Sequence, residues 1–179
     1  MNLVVRARGA SLDGNTLVAV CATVIALVSL AVSVNEGRAT RRHNRLSVRP
    51  LLQFQQTWQP GKRSGLKLTN SGLGPAVIVR TVLSVDGNSL GEYNKPNVDV
   101  IRDMLPFRPT VITFAEKGFT RTDFDAYLLS VPVYDPESET HGEFKEMLTQ
   151  RVSLEIWYES LYGGEGYKVT VKPGEVLNH

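Results

Sequence analysis

The stretch from Gly14 to Asn35 limits what this chain can fold into more than any other part of it. Its 22 residues lie between Asp13 and Glu36 and include no charged side chain. As a helix the stretch would be about 33 Å long, which matches the hydrocarbon core of a bilayer. Apolar side chains occur on every side of the helical wheel, so such a helix must be buried in lipid or in a large protein core. Because 179 residues are too few to surround this helix and also build a second core, we predict a transmembrane helix.

The same stretch has one competing interpretation, a cleaved signal peptide. Arg6 and Arg8 would form its basic n-region, and Ala31-Val32-Ser33 resembles a small-x-small cleavage site. The apolar run is longer than the usual h-region of about 7–15 residues, and positive charge is greater after the run than before it. These two observations favour an uncleaved anchor.

The flanking charges predict the orientation of the helix. Two arginines precede it, and five membrane-flanking arginines follow it, namely Arg38, Arg41, Arg42, Arg45 and Arg49. Basic residues beside a helix end tend to stay in the cytoplasm and to contact anionic headgroups. We therefore expect a single-pass protein of the inner (plasma) membrane with its C-terminal domain in the cytoplasm. The lipid bilayer is the expected partner of these arginines, and nucleic acid is not.

Four segments follow from this interpretation: a short tail at 1–13, the transmembrane helix at 14–35, a basic juxtamembrane segment at 36–48 and a β-sandwich domain at 49–175. From Pro50 onward the chain has 13 basic and 16 acidic residues, so the formal charge of +2 combines a basic collar with a mildly acidic domain. The single cysteine, Cys21, lies in the apolar stretch, which excludes an intrachain disulfide and a multi-thiolate metal site. No cofactor is predicted.

The remainder of the chain has the pattern of a mainly β protein. Its strongest strand is the β-branched run Ala76 to Val85, followed by the hairpin signal Asp86-Gly87-Asn88. Further strands are predicted at 49–57, 66–69, 110–115, 124–133, 151–159 and 167–171, with a short helix at 97–105, a polar loop at 135–143 and helical turns at 144–150. Frequent turn signals without regular helix–strand alternation indicate an antiparallel β-sandwich of the Ig-like topology class.

Three segments of the sequence are distinctive. They read RRHNRLSVRPLL at 41–52, LTNSGLGPA at 68–76 and YESLYG at 158–163. With the single membrane helix ahead of them, they resemble a group of small, uncharacterised bacterial membrane-anchored proteins that carry a β-sandwich domain. The resemblance implies the anchor and the fold, and it implies no activity and no catalytic residue.

The second of these segments is also a candidate binding loop. Gly72, Gly74 and Pro75 predict a tight connection between two strands, in which Asn70 bonds to its own backbone. Because loops carry binding, we also treat these four residues as a possible partner loop for another protein. The helix itself has small residues at Ala22/Ala26 and Ser29/Ser33, a spacing that allows helices to self-associate into a homo-oligomer.

The catalytic candidates are carboxylates. Asp123 and Asp125 would share one strand face, as an acid/base pair requires, although a polar strand face explains them more simply. The acidic residues at 135–143, with His141, would suit a divalent cation but lack the spacing of a calcium loop, so a solvated loop is favoured. The sequence thus favours a membrane-anchored, non-catalytic interaction or accessory protein. The alternatives are an envelope- or lipid-directed enzyme that uses these carboxylates, and an exported binding domain.

Overall fold

The computed structural model of the chain describes residues 14–114 and 118–175, without the side chains of Arg45 and Leu46. The chain forms two compact units, which meet in the sequence between Asn44 and Arg45. The predicted N-terminal tail at 1–13 lies outside the described residues.

The first unit contains most of a single helix, α1, which runs from Gly14 to Ser47. Its apolar part has a mean hydropathy of 2.7, and none of that part is buried against protein. By length and composition, Gly14–Asn44 is the one described helix that is long and apolar enough to cross a membrane. The helix therefore continues beyond Asn35 through the basic segment, and it ends before Pro50, which disfavours helical geometry at the preceding residue.

The second unit is mainly β and contains nine described strands and two short helices. The strands are β1 (Leu52–Thr57), β2 (Ser64–Asn70), β3 (Ala76–Val85), β4 (Asn88–Gly91), β5 (Thr110–Val111), β6 (Phe119–Thr120), β7 (Asp125–Val131), β8 (Val152–Glu159) and β9 (Tyr167–Val171). Helix α2 spans Lys95–Asp103, helix α3 spans Glu139–Glu146, and α3 continues into a π-helical turn at Met147–Arg151.

The strands form two antiparallel sheets. The first sheet has the order β1-β2-β7-β5, and the second has the order β4-β3-β8-β9, with β6 also paired to the start of β3. The predicted strand at 76–85 and its hairpin are found at the expected residues, because Asp86 and Gly87 both adopt the positive φ that a tight hairpin turn requires. The prediction of an apolar helix followed by a mainly antiparallel β domain is thus confirmed.

Both sheets contribute to one hydrophobic core. Leu66, Leu68 and Leu129 of the first sheet belong to the same buried cluster as Leu83 and Ile156 of the second. Helices α2 and α3 add further buried side chains to this cluster, including Val98, Ile101 and Phe144. Burial of these apolar surfaces is what holds the two sheets against each other.

Two tyrosines form hydrogen bonds from one sheet to the other. The hydroxyl of Tyr93, just after β4, donates to the backbone carbonyl of Leu128 in β7, at 2.9 Å. The hydroxyl of Tyr158 in β8 accepts from the backbone N–H of Leu52 in β1, at 3.3 Å. Tyr93 is fully enclosed, and this burial raises the pKa of its hydroxyl far above the usual range. Each bond satisfies a polar group that would otherwise be buried without a partner.

Some local predictions were wrong. The polar loop predicted at 135–143 contains the start of α3, since Ser138 and Glu139 suit a helix N-terminus and Phe144 is completely buried. The strand predicted at 110–115 is described only at Thr110–Val111, and the pairing of β6 with β3 was not predicted. The outcomes at 135–143 and at 110–115 depend on contacts made by residues distant in the sequence.

The β3–β4 turn is joined to the start of β8 by an exposed ion pair. Nε and Nη2 of Arg151 donate to the two carboxylate oxygens of Asp86, with Nη2 at 2.6 Å. These hydrogen bonds, and the charge of Arg151, lower the pKa of Asp86 from its ordinary value of 3.8. A carboxylate with a lowered pKa in the folded state stabilises the fold above its ordinary pKa, and this contribution is lost as the pH falls.

We predict that Asp86→Asn reduces the acid sensitivity of the domain. Asn tolerates the positive φ of residue 86 but carries no charge. The free energy of unfolding of wild type should exceed that of the variant above pH 3.8, and the difference should shrink as the pH falls further. Urea unfolding of the detergent-solubilised chain between pH 7 and pH 2, followed by tryptophan fluorescence, measures this. A difference that stays constant over that range would contradict the role of the ion pair.

Candidate functional site

The predicted partner loop, Asn70–Pro75, surrounds one fully bonded side chain. Asn70 is only 2% exposed. Its Oδ1 accepts from the N–H groups of Leu51 and Gly72, both at 3.1 Å. Its Nδ2 donates to the carbonyls of Gly74, at 2.9 Å, and Arg121, at 3.1 Å. The predicted bond of Asn70 to its own loop is therefore present, and the same amide also ties in two other chain segments.

The two glycines of the loop lie against the chain's own backbone. A Cβ atom at Gly74 would overlap the carbonyl oxygen of Val48, and one at Gly72 would overlap the carbonyl oxygen of Arg49 and the N–H of Leu51. Neither glycine has a positive φ, so close backbone approach is the reason for glycine here. The loop thus receives residues 48–51, which we call the entry segment because they follow α1 directly.

Further contacts hold the entry segment and the strand that follows it. The N–H of Ser71 donates to the carbonyl of Leu51 at 2.9 Å. The guanidinium of Arg49 lies 4.7 Å from the centre of the Tyr167 ring, within the range of a cation–π contact. The end of one distinctive sequence segment, residues 48–52 of 41–52, therefore meets another, 68–76, in the structure.

The residues of this loop face in different directions. Gly72, Gly74 and Asn70 are turned to the entry segment, and Pro75 directly precedes β3. Leu73 is 76% exposed and is the side chain that another molecule would meet first. Another protein could therefore contact Leu73 at the tip of the loop, whereas Gly72 and Gly74 are already packed against the entry segment.

The membrane-flanking arginines divide into two groups. Arg38, Arg41 and Arg42 are exposed on α1, and Arg45 belongs to the same helix, although its side chain lies outside the described ones. Arg49 belongs to the entry segment, where its guanidinium packs on Tyr167. The first group is placed along a helix that leads out of the apolar stretch, whereas Arg49 has a contact within the β domain.

The carboxylates considered for catalysis do not form a pair on one strand. Asp123 has a φ of 56° and lies in the turn before β7, so the prediction of a shared strand face was wrong. Asp125 is the first residue of β7, and its carboxylate lies 2.7 Å from the ammonium of Lys67. Asp125 therefore forms an ion pair with Lys67 on the outside of the sheet.

The acidic segment at 135–143 is organised by His141. Nδ1 of His141 accepts from the N–H of Asp135 at 3.0 Å, and its ring stacks on Tyr134 and meets the edge of Phe107. The carboxylate of Asp135 accepts from the N–H of Glu137. Within residues 14–114 and 118–175, no group of three or more His, Cys, Asp or Glu side chains is arranged to hold a metal ion.

Two depressions in the second unit are open to solvent. The larger, of about 300 Å³, is lined by Trp58, Gln56 and Lys145 with residues near the end of the described chain. The smaller, of about 120 Å³, lies between α2 and α3 beside Met104 and Glu143. Neither is lined by Asp123 or Asp125, whereas Glu143 of the acidic segment borders the smaller one.

One feature that the sequence interpretation only partly recognised is the outer face of the second sheet. Trp157 and Tyr158 point to opposite faces, as expected for neighbours on a strand, and Tyr158 is the buried one. The half-buried indole of Trp157 faces outward between Arg80 and Lys168, whose charged groups lie 5.0 and 4.7 Å from the ring centre. The sequence signal for this face is that β3 has apolar residues on both of its sides, not only on the side that faces the core.

We predict that Gly74→Ala destabilises the domain, because the added methyl group collides with the backbone of Val48. The expected loss is about 1–3 kcal/mol of unfolding free energy, as for other overpacked sites. Gly142→Ala is the matched control, since Gly142 lies in α3 with open space around it, and its replacement should stabilise by up to about 1 kcal/mol. Urea unfolding measures both. A Gly74→Ala variant as stable as wild type would show that the entry segment is not held in this way.

A second prediction concerns Asn70→Asp, which keeps the shape of the side chain but places an oxygen against two carbonyl oxygens. At pH 7 the variant should lose at least about 2 kcal/mol, since it buries an unpaired charge and leaves two acceptors without donors. At pH 4 protonation restores one donor, so part of the loss should be recovered. Ser71→Ala, an exposed change in the same loop, should stay within about 0.5 kcal/mol of wild type. Urea unfolding at both pH values measures these differences, and an Asn70→Asp variant as stable as wild type at pH 7 would contradict the structural role of the Asn70 amide.

Comparison of the chain with protein-family models, curated proteins and solved structures finds no match. The resemblance to bacterial membrane-anchored proteins therefore stays a prediction from the sequence segments that carry it. The function is inferred from the residues and contacts described above.

Proposed function

We propose that the chain is a single-pass membrane protein that presents a non-catalytic β domain to a protein partner at the cytoplasmic face of the inner membrane. The observation that carries this proposal is α1, whose apolar part is covered by no other part of the described protein. An apolar helix of this length is stable in lipid, where every backbone group is satisfied within the helix. The β domain begins directly after the helix, so its surface is presented close to the bilayer.

The spacing of the arginines supports contact with headgroups. Arg38, Arg41 and Arg42 follow Asn35 by three to seven residues, which corresponds to about 5–11 Å along the helix. The headgroup layer on each side of the hydrocarbon core is about 5–8 Å thick. These three side chains would reach that layer, and each adds on the order of 1 kcal/mol of attraction to anionic lipid.

The order of the strands supports an Ig-like topology for the domain. In that class one sheet has the order A-B-E-D and the other contains C, F and G, with an added C′ strand in some members. The orders β1-β2-β7-β5 and β4-β3-β8-β9 correspond to A-B-E-D and C′-C-F-G. Sandwiches of this kind serve many unrelated functions, so the topology is compatible with a binding role without specifying the partner.

The ion pair between Lys67 and Asp125, and the turn that contains Asp123, favour a non-catalytic interaction protein over an enzyme. Asp125 is held by Lys67, and Asp123 lies in a turn with a positive φ. An acid/base pair needs two carboxylates whose environments drive their proton affinities apart, in reach of one substrate. The exported domain remains the competing assignment, and the topology of the chain decides between it and the cytoplasmic one.

We predict that a C-terminal reporter that functions only in the cytoplasm is active, and that one that functions only after export is inactive. The reason is the excess of arginine after the helix, which retains that side in the cytoplasm. The combined change of Arg38, Arg41 and Arg42 to Ala leaves only two of the five arginines after the helix, so it should raise the exported fraction. Arg49→Ala is the matched control and should leave the orientation unchanged. An export-dependent reporter active in wild type would establish the exported domain instead.

A further inference from the structure

The outer face of the second sheet carries a group of apolar side chains among charged ones, and we call this group the valine face. It consists of Val77, Val79 and Val82 of β3, Phe119 of β6 and Trp157 of β8. The register places Phe119 directly opposite Val77, while Trp157 pairs with Arg80, next to the bulge at Val79. Phe119 is 73% exposed and Val79 is 60% exposed. The five side chains therefore lie on one side of three hydrogen-bonded strands, where the register also places Glu159 opposite Val77 and Glu155 opposite Val82.

The outer face of the first sheet is polar by comparison. Its residues are Gln53, Gln55, Thr57, Lys67, Thr69, Asp125 and Tyr127. Several of them are paired with one another, since Lys67 contacts Asp125 and the hydroxyls of Thr57 and Tyr127 lie 2.9 Å apart. A sheet with one solvated face normally alternates apolar and polar residues in this way. The outer face of the first sheet is thus polar, whereas that of the second sheet mixes apolar and charged side chains.

The sequence of β3 has the same implication. The strand reads AVIVRTVLSV, with apolar residues in both alternating sets. Ile78, Leu83 and Val85 face the core, yet the opposite set contains three more valines. Near-continuous apolar runs are typical of strands that are covered on both faces. Within the described residues only one face of β3 is covered, so the other has the composition of a surface that binds something.

The charges around the valine face favour a second copy of the chain as the occupant. Arg80 and Lys168 flank Trp157, while Glu155 and Glu159 project from the same side of β8. Lys168 is already 3.0 Å from Glu155. Two cations and two anions give the face no net charge, which suits neither an anionic bilayer nor a strongly charged protein. A two-fold axis would instead bring basic residues of each copy to acidic residues of the other.

We infer that the valine face is a self-association surface, through which two copies of this chain pack sheet against sheet. This goes beyond the proposed function, and it rests on that function only for the confinement of the copies to one membrane. Phe119, Val79 and Trp157 are the anchors of the contact, since large apolar and aromatic side chains at the centre of an interface carry most of its free energy.

The size of the face indicates that the membrane contributes to this association. Strands β3, β8 and β6 are about 33, 27 and 7 Å long, and at a spacing of about 4.8 Å they present roughly 300 Å². A standard interface buries about 800 Å² on each partner, so the face alone would associate weakly. Two anchored chains are confined to one surface, which raises their effective concentration.

Cysteine cross-linking of the full chain in native membranes tests the inference. In a Cys21→Ala background, Val79→Cys places a thiol on the valine face, and Gln55→Cys places one on the polar face of the first sheet as the matched control. With a short bis-maleimide, Val79→Cys should give a species of twice the chain mass, and Gln55→Cys should not. Adding Phe119→Asp to the Val79→Cys chain should reduce the cross-linked fraction about tenfold, because it buries a charge in the contact. Phe119 is largely exposed, so this variant should fold normally, as its unfolding curve will check.

Four outcomes would overturn the inference. Equal cross-linking of the two cysteine variants would show random collision, and a product with a mass other than two chains would show a different partner. A Val79→Cys chain that stays monomeric, or whose dimer persists after Phe119→Asp, would also contradict it. Alkaline extraction separates this result from the proposed function. A chain that resists extraction but is monomeric contradicts only the self-association, whereas a chain that dimerises but is extracted contradicts only the anchor.

Discussion

The main physical constraint on this protein is that the apolar side chains of α1 must be shielded from water. Ten large apolar side chains of α1, from Leu17 to Val34, are exposed in the described protein. Burying one such side chain fully is worth about 1.5–3 kcal/mol, so leaving all ten in water would cost on the order of 15–30 kcal/mol. That exceeds the whole stability of a typical domain, which is about 5–15 kcal/mol. Insertion of α1 into a bilayer would remove this cost.

A second set of contacts holds the entry segment within the β domain. The helix ends at Ser47, and the backbone of Val48 packs against Gly74. Asn70 then ties the entry segment, its own loop and the turn at Arg121 into one set of hydrogen bonds. Because all four hydrogen-bonding positions of the Asn70 amide are used, this connection is costly to disturb. The loop that sequence alone proposes as a partner site thus has a structural role of its own.

Local patterns were sufficient for some elements and insufficient for others. The β3–β4 hairpin and helix α2 are predictable because their signals lie close together in the sequence, namely Asp86-Gly87 and the helical spacing of Val98 and Ile101. The hydrogen bonds that hold the entry segment were not predictable. They join Leu51 to Asn70, and Asn70 to the carbonyl of Arg121, 51 residues later. The same holds for the start of α3, which forms in a polar segment because Phe144 packs into the core. The valine face needed the pairing register of three strands before its residues could be recognised as neighbours.

The measurement that tests the anchor most directly is the intact mass of the protein recovered from alkali-washed membranes. Retention of the helix predicts that the protein stays with the membranes and that its mass includes residues 14–35. A mature protein that begins after Ser33, recovered in the wash, would contradict the account, because the helix would then be a signal peptide and the β domain a separate, exported protein.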